Sequence, residues 1–245
     1  MTKRLIAADR SIMIAADVPT IAAAKLLASV GLTNTGVSSY KVGFQLGLKG
    51  LEGVVQSIRH SAGHTVVIYD HQKAGNDIPD MGAKLASQLK IFGVDAVILF
   101  PFTGPDVQRE WTKACKGEGL HVLVGGMMTH DRFLVSEGGY IDNDTPERIY
   151  KSAIEQEVTD FVMPGTKLEW VQKICQWLEH GLGHGNYDAY APGFISQGGD
   201  ITKCGKAAGP RFHAIVGSAI YGKNQLASLE QMRAAAFQCT SSLGL

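Results

Sequence analysis

The sequence lacks a surplus of either charge, because its 23 Lys and Arg residues balance its 23 Asp and Glu residues. Binding to nucleic acid or to anionic membrane usually requires a basic surplus, so we expect neither partner. No window approaches the roughly 20 consecutive apolar residues that a membrane-spanning helix needs. The amino terminus starts basic but carries a charge at Asp9 and no long apolar run. We therefore expect no signal peptide and predict a cytoplasmic protein.

Motifs for disulfides, metals and common nucleotide cofactors are also missing. The four cysteines are far apart and form no CxxC pair, which predicts reduced structural thiols rather than a disulfide framework or a zinc site. They are Cys115, Cys175, Cys204 and Cys239. The histidines show no ligand-like spacing, so we predict no metal site. The absence of a Walker segment, a GxSxG elbow and a GxGxxG fingerprint disfavours nucleotide triphosphatases, α/β-hydrolases and dinucleotide enzymes.

What the chain does contain is a regular alternation of short apolar runs and amphipathic stretches. Hydrophobic residues make up 45% and charged residues 19%, which suits a folded core. The strand-like runs are 11–16, 40–44, 66–69, 95–100, 121–126, 160–163, 187–191 and 212–216. The helix-like patterns are 21–30, 51–60, 81–92, 106–117, one starting at Thr145 as a cap residue, 167–179 with a break at 181–185, and 225–239.

Eight strand–helix units in this order predict an α/β protein with a single (β/α)8 TIM barrel. We found no linker, low-complexity segment or charge block, and therefore expect residues 1–245 to form one domain. A doubly wound open sheet is the main alternative, because periodicity alone does not establish that the sheet closes.

Ionisable residues follow three consecutive predicted strands. Asp17 ends the first strand, Lys41 lies in the second, and Asp70, Lys73 and Asp77 follow the third. Active sites of barrels and open α/β sheets lie at the carboxyl ends of their strands. A solvated charged loop would account for one such group, but convergence from three strands favours a functional site.

Glycine-rich segments follow the last two strands. Gly193, Gly198 and Gly199 come after the seventh strand, and Gly217 with Ser218 comes after the eighth. Glycine permits close backbone approach, and exposed amides at a helix start bind anions. Ordinary turn chemistry would also explain glycines, but their position in the barrel order favours phosphate binding.

With these residues identified, nearly the whole chain resembles the orotidine 5′-phosphate decarboxylase family in its compact archaeal-type form. The fold implied is a barrel of the ribulose-phosphate-binding type. The glycine-rich segment at 192–200, which is similar to the family's phosphate lid, is the most specific match. The matching segments are 14–17, 41–43, 70–79, 128–130, 192–200 and 215–221.

The chain departs from the family pattern in two places. The charged signature after the third strand is one residue longer in each of its two gaps, which a bulge at the strand end would accommodate. Ser218 stands where the family usually has an arginine that grips phosphate. Backbone amides near Gly199 and Gly217 would still bind the phosphate, and we hypothesise that Lys223 or Arg211 supplies the missing charge.

The resemblance implies decarboxylation of orotidine 5′-monophosphate to uridine 5′-monophosphate in pyrimidine biosynthesis, without a metal or organic cofactor. Asp70 would lie against the substrate carboxylate, and Lys73 would protonate the carbon that loses it. Asp77 would orient Lys73 from across a homodimer interface. The implied catalytic residues are Lys41, Asp70, Lys73 and Asp77. The implied substrate-binding residues are Asp17, Ile78, Thr129, Pro192, Gln197, Gly198, Gly199, Gly217 and Ser218.

Two other functions remain open at the level of the sequence. One is an aldolase similar to 3-hexulose-6-phosphate synthase, which would use magnesium and an additional acidic ligand such as Asp80. The other is a non-catalytic barrel that binds nucleotides, which the altered spacing and the missing arginine make plausible.

Overall fold

The computed structural model describes residues 4–71, 76–224 and 227–244, and these contain eight parallel strands in one closed barrel. The strands pair in sequence order from β1 to β8. They are β1 Arg10–Ala15, β2 Val37–Val42, β3 Val66–Asp70, β4 Ala96–Leu99, β5 His121–Gly125, β6 Asp160–Val162, β7 Asp188–Ala191 and β8 Phe212–Val216. The predicted (β/α)8 barrel is confirmed.

Closure of the barrel depends on direct pairing between its first and last strands. The register runs from Arg10 opposite Phe212 to Ile14 opposite Val216, with both strands parallel. An open sheet would leave β1 and β8 without this pairing, so the doubly wound alternative is wrong.

Helices follow the strands and cover the outside of the barrel. They are α1 Ile21–Ala28, α2 Phe44–Gly47, α3 Leu51–Ala62, α4 Met81–Ile91, α5 Pro105–Gly117, α6 Thr145–Glu155, α7 Leu168–Leu182, α8 Ile201–Ala208, α9 Ser218–Tyr221 and α10 Leu229–Ser241. Among the described helices, none combines the length and the apolar character needed to span a membrane.

The strands are buried on both faces, which explains why they read as continuous apolar runs. Met13, Ile68, Leu123 and Ile215 belong to a cluster inside the barrel, whereas Val67 and its neighbours belong to the layer between barrel and helices. All four cysteines are buried and free, as predicted.

Three helix boundaries differ from the sequence-based expectation. Helix α7 continues through Gly181 and ends at Leu182, with Gly183 as its C-cap at φ 89°. A Cβ on Gly181 would lie 2.8 Å from Ile154, so this glycine permits close helix packing rather than breaking the helix. Helix α6 takes Asp144 as its N-cap, and Thr145 is its first residue. Helix α10 begins at Leu229 rather than at position 225.

The sequence patterns missed helix α8. Its buried side is made of Ile201, Cys204, Gly205 and Ala208, a helical spacing built largely from small residues. Asp200 caps the helix by accepting a hydrogen bond from the backbone amide of Lys203. Small residues carry little hydrophobic signal, which is why the periodicity was inconspicuous.

A buried carboxylate organises the amino-terminal end of the barrel. Asp188, the first residue of β7, accepts hydrogen bonds from Arg4 at 3.0 Å, from His213 at 3.1 Å and from Arg211 Nε at 3.1 Å. Ile6, two residues after Arg4, is only 3% exposed and packs into the interior cluster. Residues before β1 therefore close this end of the barrel.

The position of Arg211 corrects one expectation. It precedes β8 and pairs with Asp188, whereas Gly217 and Ser218 follow the same strand. The five residues of β8 separate the two ends by roughly 16 Å at about 3.3 Å per residue. The hypothesis that Arg211 supplies charge to a phosphate near Ser218 is therefore wrong.

Asp188→Asn should destabilise the barrel by about 3–5 kcal/mol at neutral pH, because it removes a buried anion from three donors. Burial alone would raise the pKa of Asp188, but hydrogen bonds from His213, Arg211 and Arg4 hold it below its usual value. The stability from this depressed pKa is present above about pH 3.9 and is lost as pH falls through the folded-state value.

Urea denaturation of wild type and Asp188→Asn at several pH values measures this effect. Asp106→Asn is the matched control, because its ion pair with Arg109 lies on the surface and should matter much less. The same loss of stability in both variants would contradict the assignment.

Candidate active site

A cavity of about 270 Å³ opens at the carboxyl ends of the strands. Residues at or beyond the ends of β1, β2, β3, β4, β5, β7 and β8 line it, as expected for the functional face of a barrel. The lining residues are Ala15, Asp17, Lys41, Asp70, Ile98, Met128, Thr129, Pro192, Gly193, Phe194, Ser196, Gln197, Ile215, Gly217, Ser218 and Tyr221. Eight of the sequence-predicted site residues are among them.

The ammonium group of Lys41 lies between two carboxylates. Its Nζ is 2.6 Å from Asp70 Oδ2 and 3.4 Å from both carboxylate oxygens of Asp17. Lys41 is 5% exposed and Asp70 is fully buried, whereas the Asp17 side chain is 29% exposed towards the cavity. Two successive strand ends and the residues after β1 thus bring these three charges together.

Electrostatics keep Lys41 protonated. Burial alone would lower the pKa of Lys41, but the charges of Asp70 and Asp17, with their hydrogen bonds, outweigh burial and raise it. The cavity therefore contains a fixed cation held by two anions. Such an arrangement can bind hydroxyl groups and can set the electrostatic potential where a substrate's charge changes.

Gly43 leaves room for this arrangement. A Cβ at this position would lie 2.8 Å from Asp17 Oδ1 and 4.0 Å from Lys41 Nζ. Its φ of −91° is accessible to any residue, so the requirement for glycine here is one of space rather than of backbone conformation. Position 43 therefore belongs to the site although it does not line the cavity.

The segment after β3 carries the remaining predicted catalytic residues. Lys73 lies outside the described residues, so its proposed partnership with Asp77 stays a prediction. Asp77 and Ile78 are exposed in the single chain and do not line the cavity formed by the described residues. Asp77 Oδ1 accepts a hydrogen bond of 2.7 Å from the amide of Ile78.

His71 marks the start of that segment and is half-buried. Burial lowers its pKa, although the nearby charge of Asp70 acts in the opposite direction. His71 therefore contributes a neutral ring beside the charged cluster near neutral pH.

The glycine-rich segment after β7 folds over the cavity. The amide of Gly199 donates to the Gly193 carbonyl at 3.0 Å, and the amide of Ile195 donates to the Gly199 carbonyl at 3.0 Å. Ile195 has φ 61° and exposes 58% of its surface, so the turn presents an apolar side chain outward. Gln197 lines the cavity, whereas Gly198 and Gly199 shape the turn and are not among the lining residues.

A hydrogen bond connects the segments after β7 and β8. Ser218 Oγ lies 3.1 Å from Ser196 Oγ, which joins the glycine-rich turn to the first residue of α9. Ser218 lines the cavity and contributes a neutral hydroxyl group there. The cavity gains no positive charge from this residue.

Sequence reasoning assigned no role to several residues that line the cavity. Ile98, Met128, Phe194 and Ile215 give it an apolar wall. Ile98 lay in a predicted strand, and the other three lay in segments that resemble the family without a role of their own. Tyr221 adds a phenol on the same side as Asp17. Burial and the charge of Asp17, opposed by the charge of Lys41, raise the pKa of Tyr221 to about 12, so the phenol remains a hydrogen-bond donor at neutral pH.

Potential metal ligands do not cluster in the described part of the chain, where no group of three or more His, Cys, Asp or Glu side chains has the arrangement of a metal site. The charged side chains that line the cavity are those of Lys41, Asp17 and Asp70, and the other polar side chains there are neutral.

Known proteins resemble this chain in sequence. A search against protein-family models finds no match. The chain is 31% identical over 186 residues to the orotidine 5′-phosphate decarboxylase of Methanosarcina mazei, which is 76% of each protein. It is 32% identical over 190 residues to the enzyme of the same name from Methanosarcina acetivorans, again 76% of each.

Solved structures resemble it in fold. The orotidine 5′-phosphate decarboxylase of Pyrococcus horikoshii matches with a TM-score of 0.74 and 26% identity, over 96% of this chain and 99% of that one. The orotidine 5′-monophosphate decarboxylase of Methanocaldococcus jannaschii, complexed with the inhibitor BMP, matches with a TM-score of 0.79 and 22% identity over the same fractions.

Lys41→Met should test the buried charge cluster without changing the side-chain volume greatly. We expect a loss of about 3–5 kcal/mol in the free energy of unfolding, because the substitution removes the hydrogen-bonded cation from a buried carboxylate. The double variant Lys41→Met, Asp70→Asn should recover part of that loss, since the two residues are directly coupled. Chemical denaturation measures both, and an unaltered Lys41→Met midpoint would refute the coupling.

Proposed function

The chain belongs to the orotidine 5′-phosphate decarboxylase family, and we propose that it converts orotidine 5′-monophosphate to uridine 5′-monophosphate and carbon dioxide. The observation that carries this proposal is the buried Lys41 between Asp17 and Asp70, at the edge of a cavity on the functional face of the barrel. We include in the proposal that no metal or organic cofactor takes part.

Asp70 is the residue that the proposed chemistry places against the substrate carboxylate. A fully buried carboxylate cannot relax its charge into water, so a second carboxylate beside it is destabilised until it leaves as carbon dioxide. The C6–carboxylate bond breaks and its electron pair remains on C6. Lys73 then donates a proton to C6, which completes uridine 5′-monophosphate.

Lys41 has a supporting role in this chemistry. It holds Asp70 through the 2.6 Å hydrogen bond and its charge is maintained by both neighbouring carboxylates. The carboxylate of Asp17 faces the cavity and, together with Lys41, would bind the ribose hydroxyl groups. Preorganised charges of this kind stabilise a transition state without reorganising at the moment of reaction.

The remaining proposed contacts are those of the cavity residues with the pyrimidine and the phosphate of the substrate. Thr129 and Gln197 would bind the edge of the pyrimidine, and Pro192 with Ile98 would pack against its faces. The phosphate would lie between the turn after β7, with Gln197, Gly198 and Gly199, and the start of α9 at Gly217 and Ser218. Binding energy from a phosphate remote from the reacting carbon would then help to hold the glycine-rich segment closed.

The active enzyme that we propose is a cytoplasmic homodimer of single-domain subunits spanning residues 1–245. Asp77 and Ile78 are exposed in one chain, which suits a role in the site of a second subunit. Asp77 would there orient Lys73 of the partner chain's site. Neither the magnesium-dependent aldolase nor the non-catalytic barrel has a specific observation in its favour.

Lys73→Ala should abolish decarboxylation while uridine 5′-monophosphate still binds, because the proton donor is lost and the cavity residues remain. Ultraviolet absorbance of orotidine 5′-monophosphate follows turnover, and calorimetry measures product binding. Lys113→Ala, an exposed lysine on α5, is the control and should retain full activity. Substantial turnover by Lys73→Ala would refute the assignment, and tight binding without turnover by wild type would favour a non-catalytic barrel.

Ser218 supplies no positive charge to the phosphate, and we expect Lys223 to supply it instead. Lys223→Ala should therefore weaken phosphate binding. Lys223 is exposed and lies two residues after the end of α9, five residues from Ser218 at the start of that helix. A hydrogen bond to a charged group contributes about 1.5–3 kcal/mol, so kcat/KM should fall about 10- to 100-fold.

Orotidine, which lacks the phosphate, provides the decisive comparison for Lys223. Its slow decarboxylation should be the same in wild type and Lys223→Ala, because the lost charge contacts only the phosphate. Equal losses with both substrates, or no loss with either, would show that Lys223 is not the replacement for the arginine.

A further inference from the structure

Trp111 contacts two described residues between β3 and α4, one on each side of residues 72–75. It is on α5, is 3% exposed, and belongs to the layer between barrel and helices. Its indole contacts both described ends of the connection, at His71 and at Ile78. One side chain therefore contacts both the residue that follows β3 and the residue that follows Asp77.

The contact between Trp111 and Ile78 is a hydrogen bond from the indole to the backbone. Trp111 Nε1 donates to the carbonyl oxygen of Ile78 at 3.0 Å, an ordinary distance for a well-formed bond. The amide of the same residue donates to Asp77 Oδ1 at 2.7 Å. Ile78 thus links the indole to the carboxylate of Asp77 through one peptide residue.

The contact between Trp111 and His71 is between their aromatic rings. The centroid of the His71 ring lies 5.2 Å from that of Trp111, with an angle of 41° between the planes. The amide of His71 donates to the Ile98 carbonyl at 3.2 Å and extends the β3–β4 pairing by one residue. The imidazole is therefore held between its own strand and the indole.

Gly82 on helix α4 leaves space for the indole of Trp111. A Cβ on Gly82 would lie 2.6 Å from Trp111 Cδ1 and 2.9 Å from Trp111 Cα, which no side chain could accommodate without moving the two helices apart. The glycine lets α5 approach the first turn of α4. That approach puts the indole N–H within reach of Ile78, three residues before the start of α4 at Met81.

We propose that Trp111 is a positioning residue for decarboxylation, which clamps the two ends of the β3–α4 connection and so sets where Asp77 lies. This inference rests on the proposed function of the site. It extends that function by assigning a role to Trp111, a helix residue that is not among those lining the cavity. Displacement of a catalytic group by about 1 Å can reduce a rate about 100-fold, so a clamp at this point has kinetic consequences.

Trp111→Phe keeps an aromatic ring against His71 and Gly82 but removes the donor to Ile78. We expect kcat to fall about tenfold or more, with little change in the Kd for uridine 5′-monophosphate, because Asp17, Lys41 and Gln197 lie on other elements. Trp177→Phe is the matched control. This half-buried tryptophan on α7 packs against Tyr150, far from the connection in the barrel order, and its replacement should leave kcat unchanged.

Coupling between Trp111 and Asp77 distinguishes a positioning role of the tryptophan from a purely structural one. If Trp111 acts through Asp77, Trp111→Phe should cost much less in kcat when Asp77 is already alanine than when it is present. An equal cost in both backgrounds, or equal kcat for Trp111→Phe and Trp177→Phe, would overturn the proposal.

Amide hydrogen exchange separates failure of the clamp from failure of the proposed function. Peptides covering 76–82 should exchange faster in Trp111→Phe than in wild type or Trp177→Phe, whether or not the protein turns over orotidine 5′-monophosphate. Unchanged exchange in this segment would overturn the clamp. Faster exchange in Trp111→Phe, combined with no decarboxylation by the wild-type protein, would support the clamp and reject the reaction.

Discussion

Parallel pairing between β1 and β8 is the constraint on which the rest of the structure depends. It brings the residue after β1, Asp17, to the same cavity as Gly217 and Ser218 after β8, although some 200 positions separate them in the chain. Each intervening strand then ends on the same rim. Without closure, the two groups would lie on opposite edges of a sheet, and no cavity would contain both.

Closure also explains how a charged cluster can exist inside the protein. Burial of Lys41 or Asp70 alone would be costly, and their hydrogen bond, with Asp17 alongside, offsets that cost only because adjacent strands hold the partners in register. The resulting charges cannot reorient freely. A site with fixed charges suits a reaction in which charge moves from a carboxylate to a ring carbon, because the environment does not have to reorganise as the bond breaks.

The charged groups at the two ends of the barrel have different roles, in stability at the amino end and in the cavity at the carboxyl end. At the amino end, Asp188 joins Arg4, Arg211 and His213 and closes the interior, so its charges are satisfied within the protein. At the carboxyl end, Asp17 remains partly exposed to the cavity and available to a ligand. Similar ion-pair chemistry thus serves packing at one end and binding at the other.

The eight-unit order, the family and eight of the sixteen residues that line the cavity were predictable from the sequence, because apolar strands and motifs at strand ends are local signals. Helix α8 was not predicted, because its buried face consists largely of small residues, which give no strong hydrophobic pattern. Only the tertiary structure placed Arg211 at the opposite end from Ser218, identified Tyr221 as a wall of the cavity, and put Trp111 against both His71 and Ile78. These relations depend on barrel closure and helix packing, which bring together residues whose separation along the chain carries no information about their distance in space.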